Sequence, residues 1–395
     1  MSRIYYFDHA ATTKIRGEVL EEMLPFLAEN FGNPSASYSI ARRERRKVDE
    51  ARTKIAKAIN AESSKEIYFT SGGTESDNLA IKGVAYANSH KGKHIITSKI
   101  EHPAVLNTCK ALEKQGFEVS YLNVDENGLI SLEELESSIK ESTILISIMF
   151  ANNEIGTIQP IREIGEISKR HNVYFHTDAV QGMGNCKIDV KEMNIDLLSM
   201  SGHKVYGPKG VGALYVKKGI ELQRLQDGGN QEKGKRAGTE NVVGIVGLGK
   251  AIELAKADLE EYTNRLVMHR EYFIVEIKKH ISKVKINGHR TKRLAGNINI
   301  SFEGVVAEEL LYELDEKGIC VSTASACSTR RKIPIPCPIS HRTFNRTSQK
   351  HNQNNHGTRN NWGRSRLSNT GINRNRGKIK ATIKTSRSIK LASFI

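Results

Sequence analysis

Seven short apolar runs, EIYFT, HIITS, EVSYLNV, TILISIMF, VYFHTDA, IDLLSMS and GALYV, alternate with stretches of helical periodicity between residues 66 and 216. Apolar runs of about four to eight residues, bounded by turn formers, read as buried strands. Strands that alternate with helices at this spacing close a core as an open, mostly parallel α/β sheet. In such a sheet the ligand lies at the carboxyl ends of the strands, where the loops converge. The unusual polar residues of this chain fall there. Further along, LAGNINISFEG and GICVSTAS read as strands of a second, smaller α+β layer, after a long helical region.

Charge divides the chain differently. Its formal charge of +16 suggests a nucleic-acid or anionic membrane partner. Yet residues 330–395 hold 16 Lys or Arg and no Asp or Glu, and the preceding 329 residues carry 44 basic and 44 acidic side chains. The body is neutral, and all the excess sits in the tail. The basic helix ARRERRKVDEARTKIAKAIN, with acids among its bases, is expected to be a solvated face. The tail, rich in Asn, Arg, Thr and Ser, has no sustained period and is expected to lack regular structure. Five cysteines, at 109, 186, 320, 327 and 337, form no CxxC pair and no zinc-ligand spacing. A sparse, odd set suits a reducing cytoplasm. No signal segment and no apolar run of membrane-spanning length is present, so a soluble cytoplasmic protein is expected, with no membrane partner.

Three segments carry chemistry. EIYFTSGGTESDNLAIKG is a strand, a Gly-Gly turn and a helix opening near Thr74. The free N–H groups and positive end of such a helix make an anion site, with Gly73 and Thr74 at its mouth; the alternative is a merely structural turn. In FHTDAVQG, Asp178 ends a strand and Gln181 follows three residues later. A buried acid there is costly unless it faces a cation or strong donor, although a helix N-cap is the plainer reading. SMSGHKVYGPKGVGALYV is the most specific: Lys204 lies between a strand end and a Gly-Pro turn, beside Ser201 and His203. A cramped, desolvated lysine favours its neutral form, as a Schiff-base nucleophile requires. A surface lysine is the bland alternative. A lysine, an acid and a phosphate cradle together suggest pyridoxal phosphate.

The motifs FDHAATT, GNPS, TSGGTESDNLAIKG, EHPAVLNTC, NNEIGTIQPI, HTDAVQ, SGHKVYGPKGVGALYV, RAGTEN and STASACS occur in this order. In order and spacing the chain resembles the cysteine desulfurases of the NifS/IscS type, within the class-V aminotransferases, from about Ile4 to Ser328. The resemblance implies fold type I of the pyridoxal-phosphate-dependent transferases: a large domain with a mostly parallel seven-stranded sheet and a smaller α+β domain. It implies Lys204 as the Schiff-base lysine and His102 stacked on the cofactor ring, with Asp178 on the ring nitrogen and Gln181 on the phenolic oxygen. Gly73, Thr74, Ser201 and His203 would hold the phosphate. Thr239 would reach the phosphate of a neighbouring subunit, implying a homodimer. Asn153 and Asn33 would contact the substrate, L-cysteine.

Cys327, among the small residues TASACS, would take the substrate sulfur as a persulfide; the alternative is a buried structural cysteine. Thiolate character controls such an attack. An iron–sulfur scaffold or another acceptor would receive the sulfur, for cluster assembly or tRNA thiolation. No metal is expected on the protein alone, apart from a transient iron–sulfur cluster at Cys327. Two departures, Tyr38 where the family often has histidine and Ala41 where glycine is common, concern loop detail.

The implied segmentation is 1–15, packing with the small domain; 16–258, the large domain; 259–329, an incomplete small domain; and 330–395, the basic tail. Beyond ACST the family continues with an Ile/Leu-Gly-Leu helix, a strand bearing the arginine for the substrate carboxylate, and an acidic helix. Here the text is RRKIPIPCPISHRTFNRTSQK, with no assignable counterpart of that arginine. A frameshifted C-terminus would account for this: Asn345-Arg346-Thr347 can be encoded AAT AGG ACT, which reads Ile-Gly-Leu one base later. A genuine basic extension that binds nucleic acid non-specifically is one alternative. Others are a catalytically impaired product, or a relative acting on selenocysteine or as an aminotransferase.

Overall fold

The computed structural model describes residues 3–323. In chain order these form β1 (Tyr5–Tyr6), α1 (Gly17–Met23), α2 (Pro25–Ala28), α3 (Ser39–Ala58), β2 (Ile67–Thr70), α4 (Gly73–Ala87) and β3 (His94–Ser98). Next are α5 (Pro103–Glu113), β4 (Glu118–Leu122), α6 (Leu132–Ser137), β5 (Thr143–Ser147), α7 (Ile161–Arg170), β6 (Tyr174–Asp178), β7 (Leu197–Ser201) and β8 (Gly212–Val216). The described chain ends with α8 (Val242–Ala257), α9 (Leu259–His280), β9 (Val284–Asn287), β10 (Asn299–Phe302), α10 (Ala307–Asp315) and β11 (Ile319–Cys320). Cys327 and the basic tail lie outside the described residues.

The seven apolar runs are the seven strands of one sheet, ordered β2-β8-β7-β6-β5-β3-β4. Only β8 runs against the rest, pairing antiparallel with β2 and β7. The fold is therefore the mostly parallel α/β sheet expected. β3, β5, β7 and β8 are buried at every residue, which is why they read as unbroken apolar runs rather than alternating ones.

Helices cover the sheet because their apolar positions recur at helical spacing. α3 buries Ala41, Val48, Ala51 and Ile55. It meets α8 where Gly249 faces Ala51: a Cβ on Gly249 would come within 2.7 Å of the Ala51 backbone. The exposed charges of α3 are Arg42, Arg43, Arg45, Arg46, Asp49, Glu50 and Lys57, bases and acids together, as expected of a solvated face. Glu44 and Arg52 break that expectation, for both are buried.

Two compact units divide the chain. One comprises residues 8–272 and 286–300 and holds the seven-stranded sheet. The other is drawn, among described residues, from 3–7, 273–285 and 301–323. Within it β1 and β11 pair in parallel, with Tyr5 N–H donating to the Gly318 carbonyl at 2.7 Å. Among the described residues, no helix is long and apolar enough to cross a membrane.

Candidate active site

The carboxyl edge of the sheet gathers the polar residues that the sequence singled out. Thr70 ends β2, Asp178 ends β6 and Ser201 ends β7. Gly72, at φ +154°, turns the chain from β2 into α4, with no side chain capping the first turn. A Cβ on Gly73 would come within 2.7 Å of Val180 Cγ2 and 3.7 Å of Ser201. The start of α4, carrying Gly73 and Thr74, thus lies against the ends of β6 and β7. Its unpartnered amides and Ser201 form the kind of cradle that a phosphate needs.

His102 caps α5, its Nδ1 accepting from the Ala104 N–H at 3.2 Å. This leaves the proton on Nε2. Burial holds the ring below its ordinary pKa, Asp178 raising it and Lys204 lowering it further, so the imidazole stays neutral near pH 7. Polar atoms of His102, Asp178 and Asp77 all lie within 4.8 Å of one another. Asp178 is buried, and its Oδ1 accepts from the Val180 N–H at 2.9 Å. Burial raises its pKa; that amide, His102, Lys204 and Asp77 oppose the rise.

Lys204 occupies a 3₁₀ turn, Gly202–Lys204, immediately after β7. Its Nζ donates to the Ala10 carbonyl and, at 2.8 Å, to the Ala11 carbonyl. Gln181 Nε2 donates to the same Ala10 carbonyl at 3.1 Å. The segment at residues 10–13 therefore brings Lys204 and Gln181 together. It also holds His203, whose Nδ1 meets Thr12 Oγ1 at 3.1 Å and whose carbonyl accepts from Thr13. Burial, then the neighbouring lysines, depress His203 to about 4.

The loop that carries RAGTEN is pinned from two sides. Glu232 is buried and forms a bidentate pair with Arg52, at 2.7 and 2.8 Å, while accepting from the Phe69 N–H. Arg236 pairs with Glu75 of α4 at 2.8 Å. Thr239 stands exposed beyond them. Asn33 is also exposed, its Oδ1 accepting from the Ser35 N–H, and Asn153 is half-buried in the turn after β5. A cleft of about 370 Å³ adjoins this loop, lined by Pro34, Arg45, Arg52, Gln231 and Glu240 among others. None of Gly73, His102, Asp178 and Lys204 lines it, so it is not the catalytic pocket.

With this geometry in place, comparison with known proteins is decisive. Residues 5–355 match the family described as Aminotransferase class-V. The chain belongs to that family. The proteins named cysteine desulfurase IscS from Clostridium botulinum (strain Hall) and Methanosarcina thermophila are 57% and 58% identical to it. These matches span 336 and 333 residues, covering 85% and 84% of this chain and 84% and 82% of theirs. A solved NifS-like protein superposes with a TM-score of 0.79 at 40% identity, covering 81% of this chain and 88% of that one. A structure titled SspA in complex with cysteine superposes with a TM-score of 0.73, also at 40% identity, covering 85% and 94%. Among class-V aminotransferases the chain is thus of the NifS/IscS type.

The cofactor of this type of class-V protein is pyridoxal 5'-phosphate. The residues present fit it. The uncapped start of α4 beside Ser201 suits a phosphate. A buried acid with only one backbone donor suits a ring nitrogen, and a lysine held on two carbonyls suits the aldehyde.

Sequence reasoning missed two carboxyl groups and a pair of carbonyls. Asp77 follows Thr74 by one helical turn, and Glu101 directly precedes His102; both are buried. Glu101 Oε1 accepts from Ser98 Oγ and the Met149 N–H, Oε2 has no partner, and burial pushes the group up to about 8. The carbonyls of Ala10 and Ala11 lie in FDHAATT, a motif that the sequence flagged without giving those residues a role. Cys327 lies outside the described residues.

Proposed function

We propose that this chain is a pyridoxal-phosphate-dependent cysteine desulfurase that converts L-cysteine to L-alanine and leaves the sulfur as a persulfide on Cys327. The observation that carries this reading is the convergence of Lys204, Gln181, His102 and Asp178 at one edge of the sheet. The relatives named cysteine desulfurase, and the neighbour whose title includes cysteine, support the choice of substrate.

When bound, the cofactor supplies an electron sink for the charge left as the substrate's α-proton departs. The chain's own residues do the rest. Lys204, set by the Ala10 and Ala11 carbonyls, takes the α-proton. With the cofactor bound, neutral His102 would lie against its ring and Asp178 would hold the ring-nitrogen proton. Gln181 would donate to the phenolic oxygen. The amides at Gly73 and Thr74, with the Thr74, Ser201 and His203 side chains, would hold the phosphate; Asn153 and Asn33 would contact the amino acid. In the net reaction the Cys327 thiolate attacks the substrate sulfur: the carbon–sulfur bond breaks, a sulfur–sulfur bond forms, and carbon gains a proton to give alanine.

Thr239, exposed beyond a pinned loop, suits contact with the phosphate of a second subunit, and a homodimer follows. A cytoplasmic setting, an iron–sulfur scaffold or thiolation enzyme as sulfur acceptor, and a transient cluster on Cys327 complete the reading. The segmentation is a large domain over 16–258 and an incomplete small domain over 259–329, with residues 1–15 as a segment packing with the small domain and 330–395 as the basic tail. The tail is a frameshifted C-terminus. A gene in which no single-base change restores family-like sequence after residue 330 would sink that idea.

The test is alanine formation from L-cysteine with pyridoxal phosphate and reductant, with Lys204→Ala as the blank. Alanine above blank supports the desulfurase. A second reading, an impaired desulfurase-like product, is favoured by α10, none of whose residues is buried. It predicts cofactor binding without alanine. Selenocysteine turned over in preference to cysteine would instead favour a selenocysteine-acting relative.

A further inference from the structure

Asp77 is a carboxyl group that the catalytic scheme leaves unused. It lies on the buried face of α4, is 1% exposed, and has an Oδ1 with no hydrogen-bond partner. Its neighbours are fixed by the sheet. His176, in the middle of β6, has Nε2 3.7 Å from that Oδ1. The contact is not an ion pair. His176 is fully buried, with Nδ1 at 2.9 Å from Ser147 Oγ and Nε2 at 3.0 Å from Ser199 Oγ, and burial depresses it to about 3. Polar atoms of Asp77 and Asp178 lie within 4.8 Å of one another, and Ser199 also acts on the Asp77 carboxyl.

Two carboxyl groups this close, both shielded from water, do not both ionise readily. The proton's place follows from the donors around each. Asp178 has the Val180 amide on Oδ1 and the nearby charge of Lys204 to favour its ionised form. Asp77 has no amide and no cation against it; burial comes first in raising it, followed by Asp178, with Glu101 adding to the repulsion. An unpartnered oxygen is also far less costly as the carbonyl of a neutral acid than as part of a carboxylate.

We propose that Asp77 works as a neutral carboxylic acid whose O–H is donated to the Asp178 carboxylate. It thereby holds that carboxylate ionised and aimed at the cofactor's ring nitrogen. Asp77 is a positioning residue: it acts through Asp178. The inference rests on the reading of this edge as a pyridoxal-phosphate site, and the groups that face the pair are Glu101, His102, His176 and Lys204.

Two measurements on the full chain test it. The first is the infrared difference spectrum of the cofactor-free protein in the protonated-carboxyl region. Asp77→Asn removes one such band; Glu101→Gln identifies the second buried acid, so the two are told apart. The second is the dissociation constant of pyridoxal phosphate. Asp77→Asn keeps a neutral donor of the same shape and binds within about threefold of the unsubstituted chain. Asp77→Leu removes the donor and weakens binding by about tenfold or more. An ionised Asp77 would not produce the infrared signature, and an Asp77 that only fills space would leave cofactor binding the same in Asp77→Asn and Asp77→Leu. An unchanged infrared spectrum in Asp77→Asn, or a loss of cofactor as large as that of Asp77→Leu, overturns the proposal. If the unsubstituted chain fails to bind pyridoxal phosphate, the site reading falls and the role toward the ring falls with it. The infrared band still reports separately whether Asp77 carries the proton.

Discussion

The unit that holds the seven-stranded sheet and the smaller unit bury themselves to very different degrees. In the first, whole strands are inaccessible, and side chains as large as Phe175 and Ile146 are fully buried. In the second, Ile274 is the only described large apolar side chain classed as buried, while α10 buries nothing and leaves Tyr312 76% exposed. Every proposed cofactor contact lies in the first unit. Cofactor binding is therefore a property of a finished core. The proposed sulfur transfer runs through Cys327, which follows in sequence the described residues 301–323 of the smaller unit and precedes the basic tail.

The comparison is tested most severely at Lys204. Lys204→Ala is expected to lower alanine formation by at least about 10³-fold, because it removes both the covalent anchor and the base. Its denaturation midpoint should stay close to that of the unsubstituted chain, since the Nζ hydrogen bonds to the Ala10 and Ala11 carbonyls join a loop rather than the packed core. A variant that loses its fold together with its activity would show that the site props up the core, rather than the reverse.

Packing gives the next largest effects. Phe175→Ala empties space in the middle of β6 and is expected to cost about 3–5 kcal/mol in chemical denaturation. Glu232→Ala leaves the Arg52 guanidinium buried without its bidentate partner, at a similar cost of about 3–5 kcal/mol. It also frees the loop that presents Thr239. If Glu232→Ala left stability untouched, water would have to reach Arg52, and the loop would not be pinned.

Acidity acts on the same unit from both sides. His176 has a folded-state pKa of about 3, well below its ordinary 6.5, because burial disfavours the cation. The folded protein binds fewer protons there than the unfolded chain, so this stability is present above pH 6.5 and is lost as pH falls towards 3. Glu101 behaves oppositely. Raised to about 8 from 4.5, it favours the fold at low pH and withdraws that support as pH rises from 4.5 through 8. Each limb has a slope of at most about 1.4 kcal/mol per pH unit for one proton. His176→Asn should flatten the acid limb and Glu101→Gln the alkaline one, measured by denaturation at a series of pH values. Unaltered limbs would mean that neither group is shielded as its burial implies.

The sheet was legible because fully buried strands leave unbroken apolar runs, and β3, β5, β7 and β8 are buried throughout. Lys204 stood out because it lies between a strand end and a Gly-Pro turn, and Asp178 because a buried acid at a strand end is costly without a cation or strong donor. Asp77 and Glu101 did not. Within TESDNLAIKG an acid looks like one of several solvated polar residues, and only the packing of α4 on the sheet takes Asp77 out of water. Arg52 shows the same limit, since its helix reads as a charged surface and its partner Glu232 is 180 residues away. Glu232 and Lys233 adopt left-handed backbone, at φ 47° and 55°, without glycine to announce it.

The smallest expected effect bears most directly on the comparison. Tyr312→Ala, on α10, is expected to change stability by no more than about 0.5 kcal/mol, as for any exposed side chain without a special partner. Phe175→Ala, measured in the same way, should exceed it several-fold. A loss at Tyr312 of about 2 kcal/mol or more would mean that something covers α10 in solution. A segment of residues 324–395 and a second copy of the chain are then separable. Repeating the measurement on a chain ending at residue 323, across a range of protein concentrations, distinguishes them. Loss of the effect on truncation points to the chain's own tail, and concentration dependence points to another copy. If Tyr312 stays silent under all these conditions, the small unit is open on that side, in contrast to the closed core around Phe175.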